Sequence, residues 1–134
     1  MNIFAIDLNP YEAAKNLCDC HVIKMILESC QLLSTHDRLN GLTGDRYKQT
    51  HTNHPCRVCL SNENNYIWLQ HHLHGLLNEY TYRFGKVHKS QILYEKYWKV
   101  DKPFDLDKIS LPQCMPVEFK NISLIEAYKN YYKL

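Results

Sequence analysis

The sequence predicts an all-α fold: a compact, single-domain bundle of about four helices. It has a long N-terminal helix and an extended, proline-containing connection before the C-terminal helix. The 134 residues include only 4 glycines, and few glycines favour long helices over a sheet with many tight turns. The hydrophobic fraction of 45% provides for one core and excludes a disordered chain. This length predicts one helical domain over residues 1–134.

The start of the first helix has the clearest local signal. Asn9 can cap a helix, Pro10 is typical of the first helical position, and Glu12 adds an acid in the first turn. No helix breaker interrupts the apolar pattern that follows. We therefore predict a first helix over 10–34.

Three more helices follow from capping and spacing. Ser61 predicts the cap of a second helix, and Gly85 predicts its end. A third helix is predicted over 90–99. Ser123 and Glu126 form a capping box that opens a short C-terminal helix.

Two stretches lack helical periodicity. Residues 35–59 contain Gly41, Gly44 and Pro55 and predict a long loop, which in a compact domain is typically functional. Residues 100–121 hold three prolines and predict an extended surface connection.

Charge and composition leave the partner open. The net charge of +2 is too small to indicate nucleic acid by itself, yet a local basic patch is enough for phosphate contacts. No stretch is long and apolar enough for a membrane span. The first eight residues lack the basic start of a signal peptide. We expect a cytoplasmic protein, away from membranes, whose six cysteines are reduced.

A charged stripe is the main chemical signal. Leu17, His21, Lys24, Glu28 and Gln31 are spaced by four, three, four and three residues, so they share one face of a helix. A carboxylate in a partly apolar site beside a primary amine suits acid–base or imine chemistry. The alternative is a solvated face carrying an ordinary ion pair.

A second signal is His51-x-x-His54-x-Cys56-x-x-Cys59. Four such ligands within nine residues favour zinc, although structural zinc sites usually draw their ligands from two separate segments. The alternative is a loop that brings Asn53 and His54 to a substrate. Both interpretations stay open on the sequence alone.

Basic residues cluster after the second helix. Arg83, Lys86, His88 and Lys89 lie where one helix ends and the next begins, an arrangement suited to phosphate. A favourable interaction with the helix dipole is the alternative.

In the C-terminal tail, Tyr131 and Tyr132 could stack on bases while Lys129 and Lys133 hold a nucleic-acid backbone. The alternative is that these residues only dock the tail.

The pattern Asp19-Cys20-His21, followed after six residues by Glu28, resembles the first helix of the phage-type pyrimidine-dimer DNA glycosylases, the endonuclease V family of T-even phages. The lysine- and tyrosine-rich tail is similar to that family's as well. The resemblance implies a DNA glycosylase with AP-lyase activity that acts on DNA, with duplex as the expected form, and uses no metal or other cofactor.

The resemblance also implies residue roles. Glu28 would be the catalytic carboxylate, and His21 would position the substrate phosphate or sugar. The family's nucleophile is the α-amino group exposed when Met is removed before a small residue. Asn2 predicts that Met1 is retained, so the amine of Met1 serves, Lys24 serves, or the lyase step is lost.

The family's arginines around the catalytic glutamate are missing here, so phosphate contacts would come from Arg57, Arg83 or Lys86. Two other functions remain open. One is a zinc-binding enzyme or module. The other is a non-enzymatic viral protein that binds nucleic acid or a host protein. The lesion and the oligomeric state are not predicted.

Overall fold

The computed structural model describes residues 2–99, 102–120 and 123–133. These residues form helices, turns and irregular segments and no β-strand, so the all-α fold is confirmed. No helix in these ranges is both long and apolar enough to cross a membrane. The helices are α1 (Pro10–Lys15), α2 (Asp19–Leu39), α3 (Pro55–Val58), α4 (Glu63–Phe84), α5 (Gln91–Leu93) and α6 (Leu124–Tyr132).

The prediction of one continuous helix over 10–34 is wrong, because a non-helical segment separates α1 from α2. Cys18 is extended, with ψ 162°, and α2 starts at the next residue. A break exposes backbone carbonyls at the end of α1. The Arg83 guanidinium donates to the carbonyls of Lys15 and Leu17 at 2.9 and 2.8 Å. A distant arginine therefore stabilises a break that local sequence does not signal.

The other boundaries differ less. The stretch 35–59, predicted as a loop, is helical at both ends, because α2 continues to Leu39 and α3 spans Pro55–Val58. Asn62, rather than Ser61, caps α4 by accepting a hydrogen bond from the Asn64 amide. Gly85 ends α4 as predicted, in the left-handed conformation with φ 68°, which glycine adopts without steric cost.

α1 packs closely against α4 at Gly75. A Cβ atom at this position would lie 3.1 Å from the Ala14 Cβ and 3.2 Å from the Tyr11 Cα. The absence of a side chain therefore allows the two helices to approach. α2 also packs on α4, and the core contains residues of these three helices together with others, such as Trp98 and, from α6, Tyr128.

Asp37 connects several elements at the C-terminal end of α2. Its buried carboxylate accepts hydrogen bonds from Arg46 Nε at 2.8 Å, the Tyr66 hydroxyl at 2.6 Å and Trp98 Nε1 at 2.9 Å. These charge-assisted bonds offset the cost of burying the charge. They hold the loop after α2 and the segment after α5 against α4.

The C-terminal third contains short elements. The predicted helix over 90–99 forms as α5 followed by a five-residue π-helical turn, Tyr94–Trp98. Residues 102–120 are largely extended, with 3₁₀ turns at Leu106–Lys108 and Val117–Phe119. Ser123 caps α6 and accepts from the Glu126 amide, as predicted.

Candidate active site

A cavity of about 360 Å³ lies between α2 and the segment that follows α4. Lys24, Glu28 and Gln31 line it from α2, and His88 and Lys89 line it from the opposite wall. Three members of the predicted stripe therefore share one concave site. Its volume is within the range of small-molecule sites.

Glu28 has an unusual environment in this cavity. Its side chain is half-buried, and its Oε2 atom is buried without a hydrogen-bond partner among the described residues. Within the same residues, no ion pair joins Glu28 to Lys24, so the ordinary paired face considered as an alternative is not formed. Leaving a buried carboxylate oxygen unpaired is costly, and such groups are often functional.

Two histidines lie within the electrostatic influence of Glu28. Burial is the largest effect on His21 and His54 and lowers the pKa of each ring. The negative charge of Glu28 opposes this and raises the pKa of both. His54 is therefore close enough to Glu28 for an electrostatic interaction, but it does not line the cavity around Glu28.

His21 is held by an aromatic cluster formed with Phe4 and Tyr132. The Phe4 ring stacks on the His21 ring with centroids 4.4 Å apart, and Phe4 has a φ of 54°. The Tyr132 hydroxyl lies 2.9 Å from His21 Nδ1 and accepts a hydrogen bond from the Cys18 amide at 2.7 Å. A positive φ in a bulky residue is strained and is often found at functional sites.

The sequence indicated Tyr132, beside Tyr131, as a residue that could stack on a base, but it did not indicate Phe4. Tyr131 lines one cavity together with Phe4, His21 and Tyr132, and its ring lies 5.4 Å from that of Phe119. The lysine- and tyrosine-rich tail was the only signal for Tyr132. Phe4 lies in a short extended entry without periodicity, so no local pattern distinguished it.

The predicted phosphate contacts are dispersed. Arg83 uses its guanidinium within the chain, with Glu79 at 2.9 Å, Asp19 at 3.0 Å and two backbone carbonyls. Arg57 donates to the Thr52 carbonyl at 2.6 Å. Lys86 is exposed, and Asn53 is exposed beside His54. Of the predicted basic residues, Lys24 and Lys89 line the cavity.

The predicted zinc ligands do not come together as a set of four. The ligand atoms of His54, Cys56 and Cys114 lie within 4.8 Å of one another, whereas His51 and Cys59 are outside this group. His54 Nδ1 accepts a hydrogen bond from the Cys56 amide at 3.1 Å. A metal on Nε2 would require the ring proton to be on Nδ1, where the Cys56 amide already donates its hydrogen.

A second group of potential ligands is formed by Cys18, Cys20 and His21 near the aromatic cluster. Both of its cysteines are exposed, and their sulfur atoms are 3.3 Å apart. His21 Nδ1 already contacts the Tyr132 hydroxyl. Only the other ring nitrogen of His21 is therefore available to this group.

Met1, a predicted catalytic residue, lies outside the described residues. The next residue is fixed in place: the Asn2 side chain donates to the Cys114 carbonyl at 2.8 Å. Its Oδ1 atom accepts hydrogen bonds from the amides of Ile3 and Phe4 at 2.7 and 3.0 Å. These bonds hold the start of the described chain beside the group that contains His54.

Comparison with known proteins identifies the family of this chain. Residues 1–93 match the model of the pyrimidine dimer DNA glycosylase family. The match includes α1 to α5 and both walls of the cavity around Glu28. No curated protein and no solved structure matches the chain. Because the family model covers more than half of its length, the chain belongs to the pyrimidine dimer DNA glycosylase family, a family of enzymes that act on DNA.

Proposed function

We propose that this enzyme excises a damaged pyrimidine from duplex DNA and also cleaves the abasic strand, with Glu28 and a primary amine as its catalytic groups. The observation that carries the proposal is that Glu28, whose Oε2 atom is buried and unpaired among the described residues, lines the same cavity as Lys24. A free carboxylate beside a primary amine suits imine chemistry on a sugar.

The proposed reaction begins with attack of the neutral amine on C1′. The C1′–N bond to the base breaks, and its electron pair leaves with the base, which takes up a proton. The C1′–O4′ bond then opens with its electron pair on O4′, and an imine forms between C1′ and the amine nitrogen. The two protons that the amine loses in these steps balance those taken up by the base and by O4′. Loss of a C2′ proton then expels the 3′ phosphate and cleaves the strand.

Glu28 has two roles in this scheme. Its negative charge stabilises the positive charge that develops at C1′ as the base departs. In the second stage, the carboxylate accepts the C2′ proton. His21 contacts the sugar or its phosphate, and the aromatic cluster fixes its orientation.

The α-amino group of Met1 is the favoured nucleophile, with Lys24 as the alternative. The resemblance described above favours the α-amino group, because that group is the nucleophile of the family to which the chain belongs.

DNA contacts complete the proposal. Asn53 and His54 approach the substrate from the loop, and Lys86, Lys89 and Arg57 contact phosphates. Tyr131 stacks on a base beyond the cavity. Arg83 is left out of this set, because its guanidinium is engaged within the chain.

Borohydride reduction tests the imine directly. The enzyme is mixed with duplex DNA carrying a pyrimidine dimer, reduced, and the covalent adduct is mapped by mass spectrometry. We expect an adduct on the α-amino group that persists in Lys24→Arg. An adduct on Lys24 that disappears in Lys24→Arg would show that Lys24, and not the α-amino group, is the nucleophile. No adduct in either protein would contradict the lyase activity.

A further inference from the structure

The wall of the cavity opposite Glu28 carries His88, for which the proposed reaction has so far no role. Breaking a C1′–N bond separates charge, with positive charge on the sugar and negative charge on the departing base. Glu28 can stabilise only the positive side. The negative side requires hydrogen-bond donors or cations placed across the cavity, and His88 and Lys89 lie there.

The His88 ring is fixed in one orientation. The Ser90 amide donates to His88 Nδ1 at 3.0 Å, so the ring proton of neutral His88 is on Nε2. Ser90 itself is buried, and its hydroxyl lies 2.9 Å from that of Tyr47. The Tyr80 ring meets the imidazole edge to face, with centroids 5.0 Å apart.

His88 is also suited to act as a neutral donor. Burial is the main effect that lowers its pKa, and the neighbouring positive charge of Lys89 lowers it further. No hydrogen bond engages Nε2 among the described residues. The ring thus keeps an unused N–H group, and His88 lines the same cavity as Glu28.

We propose that His88 donates a hydrogen bond from Nε2 to a carbonyl oxygen of the departing pyrimidine and stabilises the negative charge left by cleavage of the C1′–N bond. The proton stays on His88, and the electron pair of the broken bond stays on the base. This inference rests on the proposed function and assigns the leaving-group side of the same cavity. It makes His88 a residue of base excision and not of strand cleavage.

The test compares two duplex substrates, one with a pyrimidine dimer and one with a preformed abasic site. Single-turnover rates at saturating DNA are measured for the wild type, His88→Ala, His88→Gln and the control Val87→Ala, whose residue is 63% exposed. Excision is read after alkali treatment, which cleaves every abasic site. This readout therefore does not depend on the lyase step.

We expect His88→Ala to slow excision about 10²-fold, the usual effect of losing one such donor, while its cleavage of abasic DNA stays at the wild-type rate. Normal abasic cleavage also shows that the variant is folded. His88→Gln, which retains an N–H donor, should recover part of the excision rate, and Val87→Ala should match the wild type.

Equal losses on both substrates, no loss of excision, or no recovery in His88→Gln would overturn the role of His88. If the wild type excises the base but does not cleave abasic DNA, the lyase proposal fails separately. The excision rates of His88→Ala, His88→Gln and Val87→Ala then still decide the role of His88. In that case, a melting temperature equal to that of the wild type shows that His88→Ala is folded.

Discussion

Lys24 and Glu28 lie on consecutive turns of α2 and line the same cavity, yet no ion pair joins them among the described residues. Residues four apart on a helix commonly pair. Here the carboxylate instead keeps a buried oxygen without a partner. The spacing predicted a shared face, but not that the two groups on it stay unpaired with each other.

Tyr132→Phe should impair both stability and base excision, whereas Tyr131→Phe should do neither. The Tyr132 hydroxyl contacts the Cys18 amide and His21 Nδ1, and its loss should cost about 1 kcal/mol. The Tyr131 hydroxyl makes no hydrogen bond within the described residues. Urea unfolding and single-turnover excision measure the two effects. If Tyr132→Phe and Tyr131→Phe have equal stability and equal excision rates, the orientation of His21 does not depend on the Tyr132 hydroxyl.

Arg83→Ala should lower the free energy of unfolding by about 2–3 kcal/mol, because it removes charge-assisted hydrogen bonds from a mostly buried guanidinium. The exposed Lys86→Ala should leave unfolding unchanged. Urea denaturation of both variants measures this difference. If Arg83→Ala keeps wild-type stability but weakens DNA binding in a salt-dependent way, the arginine contacts phosphate after all.

Stability should fall in acid because of His72. Its ring is completely buried and donates to the Pro10 carbonyl at 2.8 Å, and burial lowers its pKa from 6.5 to about 4. Below pH 6.5 His72 binds a proton in the unfolded chain, whereas the buried ring in the folded chain binds one only near pH 4. The contribution of His72 to the free energy of unfolding is therefore complete above pH 6.5. About 3 kcal/mol of it is lost as the pH falls towards 4.

Urea unfolding between pH 7.5 and 4.5 measures this loss, with His72→Gln as the comparison. The variant should be less stable at neutral pH, because it disturbs a packed site, but its stability should depend less on pH. Identical pH dependence in both proteins would exclude His72 as the source.

The sequence predicted the parts of the fold that depend on local signals. Asn9 and Pro10 start α1, Gly85 ends α4, and Ser123 caps α6 where expected. Each of these residues acts within one helical turn. The break before Asp19 could not be predicted, because its stabilising partner, Arg83, is 64 residues away along the chain.

The candidate site was predictable to a similar degree. Helical spacing placed Lys24, Glu28 and Gln31 on one face, and the structure gives them one cavity. The opposite wall depends on how the segment after α4 returns to α2, which no periodicity reveals. For this reason His88 was noted among basic residues without a role of its own.

We expect Glu28 to act on the sugar during base excision. The most direct measurement is the single-turnover excision of a dimer from duplex DNA by Glu28→Gln, with the exposed Glu118→Gln as control. We predict a fall of about 10²–10⁴-fold for Glu28→Gln, with a melting temperature equal to or above that of the wild type. An excision rate for Glu28→Gln equal to that of Glu118→Gln would contradict the account.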